Sequence, residues 1–551
     1  VDDASAYGDA LAASPAGKLW DDPACAELRQ MVAEQIDALG KQAEQALGVD
    51  VLRFPELVEG PVAIALLDLQ AEPGSHDDFA LSVCLLADVG PNVAECRELL
   101  DRLSEHLLDL DEGILRSTET VEGAEVATYT DSRVDEQSGS RVRYTLKGPV
   151  AVVLVEVGGL RRDDLPGILA GLGAAPAASL ANEPAFAESL AGAPGENLRL
   201  WADLGRIIER ALPSPAGDAG AVAAGIDAEE ERQITALGLR DLGVLSMRSQ
   251  CGPQGSYGAL RLEWPGNGWI PRMMRNFFQP GDFPRLRYVP AAAHGVNAFR
   301  VDLAGLFDQV IKLLIESGEH SPAEVVRGLQ EAEEFLGFNP RDDLLEAFDG
   351  EFVLVSGQVD ESEALPALHE ALNVAMIAGL RDAAEFDAFL ADLIHRRGLR
   401  VAHRTEVFEG ATIHYQSLFP LPVPICYAIV DDTLVLSGAP GLVRQIVHQR
   451  RAPEAPGLAE LPAYREAVAA LRPGYGLLGY SDAASDMKSL LRFLKQAPEM
   501  FSGEEDETGM LAWLAHVPLP DEAVVDKYFQ GGTATALTVD QAGLSLESVG
   551  P

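Results

Sequence analysis

The chain has 551 residues, 47% of them hydrophobic, and its 86 acidic against 42 basic side chains give a formal net charge of −44. This length exceeds what one compact core holds, and its longest apolar runs are too short to cross a bilayer as a helix. The negative charge disfavours nucleic acids and anionic lipids as partners, because their phosphate groups would be repelled.

The basic residues are mostly arginine, since only 7 of the 42 are Lys. An acidic surface with few lysines is typical of adaptation to a salty exterior, and a GC-rich genome that favours Arg and Ala is the alternative explanation. The numbering begins at Val1 rather than at a Met, with no charged and apolar leader. This predicts export with removal of a signal peptide, and a trimmed chain is the alternative.

The first half of the chain predicts strands interrupted by a long helix. Strands are predicted over Val62–Leu66 and Ala80–Leu86, and the helix after them repeats apolar residues at i, i+3, i+4 and i+7. A hairpin follows with its turn at Lys147-Gly148. A second hairpin joins Gly243–Gln250 to Tyr257–Trp264.

The second half repeats this order at a period of about 280–290 residues. Leu47-Gly48-Val49-Asp50 is echoed by Leu336-Gly337-Phe338-Asn339, and Val121-Glu122-Gly123-Ala124 is echoed by Phe408-Glu409-Gly410-Ala411. The second half also ends in a predicted hairpin, residues 533–539 and 544–549.

Such a repeat predicts two diverged copies of one α+β unit. Each copy is expected to be an antiparallel sheet with helices packed on one face, and not a doubly wound parallel sheet, because strands adjoin strands and helices intervene irregularly. We predict a first repeat over residues 1–265, an aromatic- and proline-rich connector over 266–294 and a second repeat over 295–551.

Short motifs in both copies resemble a family of exported bacterial proteins of unknown function that is common in planctomycetes and related bacteria. They are the Leu-Gly segments above, the Leu-Ala-x-x-Pro-Ala-Phe/Tyr segments from Leu180 and Leu458, and the run Ser14-Pro15-Ala16-Gly17-Lys18-Leu19-Trp20-Asp21-Asp22-Pro23. The resemblance spans most of both copies and implies export and a tandem α+β repeat. It implies no activity and no site residues.

Three acidic residues lie where a strand gives way to a helix: Asp203, Asp302 and Asp482. An Asp at this position is a good N-cap, because its carboxylate accepts hydrogen bonds from the free N–H groups of the first helical turn and suits the helix dipole. We therefore predict that these three residues are helix caps rather than catalytic acids.

The sequence has no complete catalytic, metal-binding or nucleotide-binding motif, so we predict no cofactor, no metal and no enzyme activity. Its five cysteines form no CxxC pair and are too scattered for a disulfide framework. Cys84 and Cys96 are open to two interpretations, a disulfide or two buried small apolar residues.

Segment 391–451 is basic within an acidic chain. It carries seven Arg against five acids, a net charge of +2 that leaves −46 for the rest of the chain. Its arginines are Arg396, Arg397, Arg400, Arg404, Arg444, Arg450 and Arg451. The cluster predicts a surface that docks on an acidic face of a neighbouring copy. The alternative is that these arginines cap helix C-termini and pair with nearby Asp and Glu.

The leading functional hypothesis is a non-enzymatic exported protein that acts by association, as a subunit of a periplasmic or cell-surface assembly. Its partner would be itself or another exported protein. The second hypothesis is a ligand-binding module with a cleft between the two repeats, lined by Trp264, Trp269, Phe277 and Phe278. The third is a hydrolase with its site in one repeat only, which needs a His close to a Ser, Cys or carboxylate in a pocket.

Overall fold

The computed structural model describes residues 4–71, 79–110, 113–131, 140–157, 163–172, 186, 198–211, 228–253, 255–318, 320–357, 374–396, 403–417, 424–452, 454–500 and 516–551. The chain forms two compact units. Unit 1 comprises Val1–Glu231, Gly243–Ser256 and Leu491–Val524, and unit 2 comprises Arg232–Leu242, Tyr257–Leu490 and Val525–Pro551. In the described ranges, no helix has the length and apolar character needed to cross a membrane.

The strands, in chain order, are β1 (Val62–Ala71), β2 (Phe79–Asp88), β3 (Ile114–Val121), β4 (Ala124–Asp131), β5 (Arg141–Lys147), β6 (Val150–Val157), β7 (Leu198–Asp203), β8 (Val244–Gly252), β9 (Gly255–Glu263), β10 (Gly295–Arg300), β11 (Phe348–Ser356), β12 (Val374–Leu380), β13 (His403–Phe408), β14 (Ala411–Ser417), β15 (Pro424–Val430), β16 (Thr433–Ser437), β17 (Leu477–Asp482), β18 (Gly532–Val539) and β19 (Gly543–Gly550).

The described α-helices are α1 (Ala4–Ala13), α2 (Pro15–Asp21), α3 (Ala26–Leu47), α4 (Phe54–Leu57), α5 (Val93–Leu110), α6 (Leu165–Gly171), α7 (Leu204–Ala211), α8 (Ala228–Leu237), α9 (Trp269–Phe277), α10 (Leu303–Glu316), α11 (Pro322–Leu336), α12 (Ala383–Arg396), α13 (Pro440–Arg451), α14 (Pro462–Ala469), α15 (Ala483–Met500) and α16 (Glu522–Val525).

Unit 1 contains a six-stranded sheet in the order β1-β2-β6-β5-β4-β3, and every neighbouring pair in it is antiparallel. One face packs Cys84 and Leu154 against Leu165 of α6. The opposite face packs Ala151 against Leu100 of α5. Unit 1 also contains the antiparallel pair β7–β8.

The prediction that helices pack on one face only is wrong for this sheet. Successive side chains of a strand point to opposite faces, and β6 reads Val-Ala-Val-Val-Leu-Val-Glu-Val, which is apolar at seven of its eight positions. A strand of this kind places apolar side chains on both faces of the sheet, so both faces have to be covered by other parts of the chain. Helices α5 and α6 therefore cover parts of opposite faces.

Unit 2 contains a longer sheet in the order β13-β14-β15-β16-β12-β11-β10-β17-β18-β19-β9. The pairs from β13 to β19 are antiparallel. The larger core packs Val353 and Ile377 against Leu442 and Ile446 of α13. On the other face, Phe352 packs with Phe386 of α12. The chain is thus an α+β protein built on antiparallel sheets.

The segment 266–294, expected as a connector, consists of α9, a 3₁₀ helix over Pro284–Tyr288 and an isolated bridge between Pro290 and Gly457. Tyr288 and Val289 are buried in the larger core of unit 2. The part of the segment from Phe283 to Ala293 therefore contributes to the packed interior of that unit.

The motifs that recur in the sequence coincide with helix ends and turns. Gly48 follows α3 and Gly337 follows α11, and both adopt the left-handed conformation, with φ of 70° and 72°. Glycine ends helices in this way because it has no Cβ to clash. In the hairpins β3–β4 and β13–β14, Glu122 and Glu409 have φ of 50° and 48°. The recurring residues therefore set local backbone geometry.

The strand orders also correspond. In unit 1, β1 to β6 are arranged as β1-β2-β6-β5-β4-β3, and in unit 2 β11 to β16 are arranged as β11-β12-β16-β15-β14-β13. A long helix, α5 or α12, lies between the second and third strand of each series.

The aromatic residues that end the two Leu-Ala-x-x-Pro-Ala-Phe/Tyr motifs make similar ring contacts. The ring of Phe186 meets that of Trp201 edge-on at 5.6 Å, and the ring of Tyr464 meets that of Tyr480 at 5.0 Å.

Candidate functional site

A polar cleft with a volume of about 430 Å³ lies in unit 2. It forms where β10 and β12 end and β11 begins, because antiparallel neighbours bring these three strand ends to one edge of the sheet. Its lining residues are Gln279, Pro280, Arg300, Val301, Asp302, Leu303, Leu345, Phe348, Asp349, Gly350 and Arg381.

Two arginines contribute the positive charge of this cleft. Arg300 is the last residue of β10, and its Nη1 donates to the carbonyl oxygen of Asp282 at 3.2 Å. Arg381 follows β12, and its Nε donates to the carbonyl oxygen of Phe348 at 3.0 Å. Neither guanidinium forms an ion pair with any acidic side chain that the structure describes. Each therefore keeps several N–H donors for another acceptor.

The two carboxylates of the cleft are already engaged. Oδ1 of Asp302 accepts from the backbone N–H of Gly305 at 2.9 Å and so caps α10. Oδ1 of Asp349 accepts from the backbone N–H of Glu351 at 2.9 Å, and its Oδ2 lies 2.8 Å from Nη1 of Arg285. The helix dipole offsets part of the charge of Asp302, and Arg285 offsets part of the charge of Asp349, because the same guanidinium also contacts Glu351 and Asp432. The arginines of the cleft have no such compensation from side chains.

Arg285 is buried and forms the centre of an ion cluster that includes Asp349 of the cleft lining. Its Nη1 is 2.6 Å from Oε2 of Glu351, whose side chain is 0% exposed, and its Nη2 is 3.2 Å from Oδ2 of Asp432. Burial acts to lower the pKa of the Arg285 guanidinium, but the neighbouring carboxylates outweigh it and raise that pKa. Burial raises the pKa of Glu351 above its ordinary value. The cluster fixes Asp349 in the cleft wall.

Gly379 allows this wall to form. A Cβ atom at residue 379 would lie 2.1 Å from Oδ1 of Asp349, well inside van der Waals contact. Only glycine lets the carboxylate of Asp349 approach the backbone of β12 so closely.

The three aspartates predicted as caps have a common geometry. Oδ1 of Asp203 accepts from the N–H of Arg206 at 3.0 Å, and Oδ1 of Asp482 accepts from the N–H of Ser485 at 2.8 Å. Asp302 makes the same bond to Gly305. Each carboxylate thus satisfies a free N–H group at the start of the helix that follows it.

The arginines of segment 391–451 that the structure describes have local partners. Arg444 reaches Oε2 of Glu406 at 3.0 Å, and the guanidinium of Arg404 lies over the ring of Tyr415 at 5.5 Å. Hydrogen bonds from Arg444 and Tyr415 hold the pKa of the Glu406 carboxyl below its usual range.

The remaining arginines of that segment lie at the end of α13 or outside the described side chains. Arg450 is 3.1 Å from Oδ2 of Asp431, and Arg451 is 3.7 Å from its Oδ1. The side chain of Arg396, and the whole of Arg397 and Arg400, lie outside what the structure describes. The docking hypothesis for this segment stays a prediction.

The aromatic residues predicted to line a cleft lie elsewhere than in the 430 Å³ cleft. Trp264 is 8% exposed, and its Nε1 donates to the carbonyl oxygen of Gly238 at 2.7 Å. Phe277 meets Phe278 edge-on at 4.8 Å and stacks on Phe299 at 5.7 Å. Trp269 begins α9. Gln279 and Pro280, which follow these phenylalanines, do line the cleft.

One Ser–His contact bears on the hydrolase hypothesis. Nδ1 of His294 lies 3.1 Å from Oγ of Ser485, but neither residue lines the cleft, and no carboxylate bonds to this imidazole within the described part of the chain. A nucleophile activated by histidine needs an open substrate position and a group that orients the base. Among the residues described, no three His, Cys, Asp or Glu side chains are grouped to hold a metal ion.

The five cysteines are all free thiols. Cys84 belongs to the core beneath α6, whereas Cys96 belongs to the core on the opposite face of the same sheet. The disulfide interpretation is therefore wrong, and both residues are buried small apolar side chains. Burial raises the pKa of the Cys84 thiol to about 11.

Unit 1 carries a second feature, an exposed patch that we call the aliphatic face. It consists of Ile64, Leu66, Val83, Leu85, Val142, Val153, Val155 and Val157. Leu66, Val83, Val155 and Val142 are consecutive neighbours across β1, β2, β6 and β5. Ile64 is 74% exposed, Leu66 47% and Val155 39%. Helix α5 packs on Ala151 at the other end of this face. Five of the eight aliphatic side chains are exposed, and Val83, Leu85 and Val153 are half-exposed.

Comparison of the chain with protein-family models, curated proteins and solved structures finds no match.

Proposed function

We propose that this chain is a non-enzymatic exported protein that acts by association, as a subunit of a periplasmic or cell-surface assembly. We further propose that two copies pair through the aliphatic face. The observation that carries the proposal is the run of eight exposed or half-exposed aliphatic side chains on four adjacent strands. Contiguous exposed apolar surface of this kind marks interaction sites in soluble proteins.

A second copy of the chain is the occupant that this surface favours. All eight side chains are aliphatic and uncharged, so the same patch can face itself across a two-fold axis without opposing like charges. Two sheets that pack face to face in this way interdigitate their side chains, as in a β-sandwich core. Segment 391–451 is a weaker candidate for docking. Arg444, Arg450 and Arg451 already contact nearby carboxylates, so the segment has less uncompensated positive charge than its seven arginines suggest.

We also infer that the chain contains two diverged copies of one α+β unit, related to the exported family that its motifs resemble. Support comes from the matching strand orders, the left-handed Gly48 and Gly337, and the left-handed Glu122 and Glu409. The features that recur are helix caps, turns and pairs of aromatic rings, and the recurring sequence motifs share no Ser, His or Cys that could act in catalysis. A duplicated scaffold without a recurring reactive group favours a role in association over catalysis.

The native mass of the purified chain tests the proposed association. We expect light scattering to give at least a dimer, with the associated fraction rising from low to near-molar salt. Salt screens the repulsion between two bodies of net charge −44 and leaves apolar contact intact. A monomer at all salt and protein concentrations would overturn the proposal.

A further inference from the structure

We infer that the cleft of unit 2 is a binding site for a small polyanion, a di- or tricarboxylate or an organic phosphate, whose oxygens are held by Arg300 and Arg381. This inference is independent of the association proposed above. It rests on the geometry and charge of the cleft alone.

Arg300 and Arg381 differ from the other arginines of unit 2 in where they lie. Arg285, Arg341 and Arg444 each contact one or more carboxylates within 3 Å. Arg275 and Arg465 contact backbone carbonyls without an ion pair to a described carboxylate, as Arg300 and Arg381 do, but they lie outside the cleft. Arg300 and Arg381 combine both properties, since they have no described carboxylate partner and line one cavity.

The two acidic groups of the cleft differ in how far they are engaged. Both oxygens of Asp349 contact donors, Oδ1 the N–H of Glu351 and Oδ2 the guanidinium of Arg285. Asp302 caps a helix through Oδ1, and its Oδ2 accepts no hydrogen bond from a described residue. An anionic ligand finds guanidinium N–H groups that are not engaged by any described carboxylate.

The size and chemistry of the cavity suit a small anion. A volume of about 430 Å³ lies within the range of small-molecule sites, roughly 300–1,000 Å³. A guanidinium presents a planar fork of donors that matches a carboxylate or a phosphate in a bidentate way. Because two guanidinium groups line the same cleft, a compact ligand with two anionic groups suits it best. Larger polyanions such as nucleic acid are disfavoured, because the field of the whole chain repels them.

Isothermal titration calorimetry with citrate and with inorganic phosphate, at constant ionic strength in chloride, tests the inference on the full chain. We expect saturable binding of at least one probe. Stronger binding of citrate identifies a polycarboxylate site, and stronger binding of phosphate identifies a phosphate site. The absence of saturable heat with both probes would overturn the inference.

Variants locate the site. Arg300→Gln and Arg381→Gln should each weaken binding of the preferred probe about tenfold or more, since each removes charge-assisted hydrogen bonds. Arg465→Gln is the matched control, because Arg465 is exposed, contacts the carbonyl oxygen of Ala459 and lies outside the cleft. An equal loss of affinity in all three variants would mean that only the net charge of the chain matters, and it would contradict binding in the cleft. Arg381 is exposed, so Arg381→Gln keeps the test valid if Arg300→Gln fails to fold.

Discussion

Nη1 of Arg285 lies 2.6 Å from Oε2 of Glu351, and Glu351 has no solvent-exposed side-chain surface. Arg285 belongs to the 3₁₀ helix Pro284–Tyr288, and Glu351 lies on β11. The backbone N–H of Arg285 also donates to Oε1 of Glu351 at 2.8 Å. The ion pair thus holds the segment before β10 against the sheet that forms the wall of the cleft.

Removal of Arg285 should be costly. Arg285→Met leaves a buried carboxylate without its partner, and we expect the free energy of unfolding to fall by about 3–5 kcal/mol. The double variant Arg285→Met with Glu351→Gln should recover part of this loss, since no buried charge remains at residue 351. Urea unfolding measures the free energy of unfolding of both variants. A double variant no more stable than Arg285→Met would show that Glu351 is not left as a buried unpaired charge.

Glu406 should make stability depend on pH. Its pKa is lower in the folded chain than in the unfolded one because Arg444 and Tyr415 donate hydrogen bonds to it. Such an acid stabilises the fold at pH above its unfolded pKa, and this contribution is lost as the pH falls through its folded pKa. Glu406→Gln should therefore lower the free energy of unfolding by up to about 1 kcal/mol near neutral pH.

The difference between wild type and Glu406→Gln should shrink as both are unfolded thermally at progressively more acidic pH. Glu460→Gln is the control, because Glu460 has no ion pair among the described residues. A difference for Glu406→Gln that stays constant across the acidic range would contradict the assignment.

The two tight hairpins offer a matched pair of backbone tests. Glu122 and Glu409 have φ of 50° and 48°, a conformation that β-branched residues resist. Glu122→Val and Glu409→Val should each destabilise the chain by about 1–2 kcal/mol, whereas Glu122→Asn and Glu409→Asn should be neutral or stabilising. Thermal unfolding of the four variants checks this. Valine variants as stable as the wild type would show that the left-handed turns do not form.

Local structure was readable from the sequence because local rules set it. The last hairpin, predicted over residues 533–539 and 544–549, forms as β18 and β19 over Gly532–Val539 and Gly543–Gly550. Gly48 and Gly337 end the helices that precede them, and the Glu-Gly pairs at residues 122–123 and 409–410 form the turns of two hairpins.

The cleft and the aliphatic face were not readable, because each depends on contacts distant in sequence. Arg300, Asp349 and Arg381 meet only because β10, β11 and β12 pair in a particular order. The apolar run of β6 shows that both of its faces are apolar, but it does not say which end of which face a helix covers. The pairing of Arg444 with Glu406 joins residues 38 positions apart, so charge counting alone could not separate docking from local pairing.

The most direct test of the proposed association is the native mass of two variants of unit 1, measured by light scattering at near-molar salt. Ile64→Asp places a charge in the aliphatic face, and Leu115→Asp places one on an exposed leucine of β3, outside that face. We expect Ile64→Asp to be a folded monomer, while Leu115→Asp keeps the associated mass of the wild type. Retention of the wild-type mass by Ile64→Asp, or a monomeric wild type, would contradict the proposal.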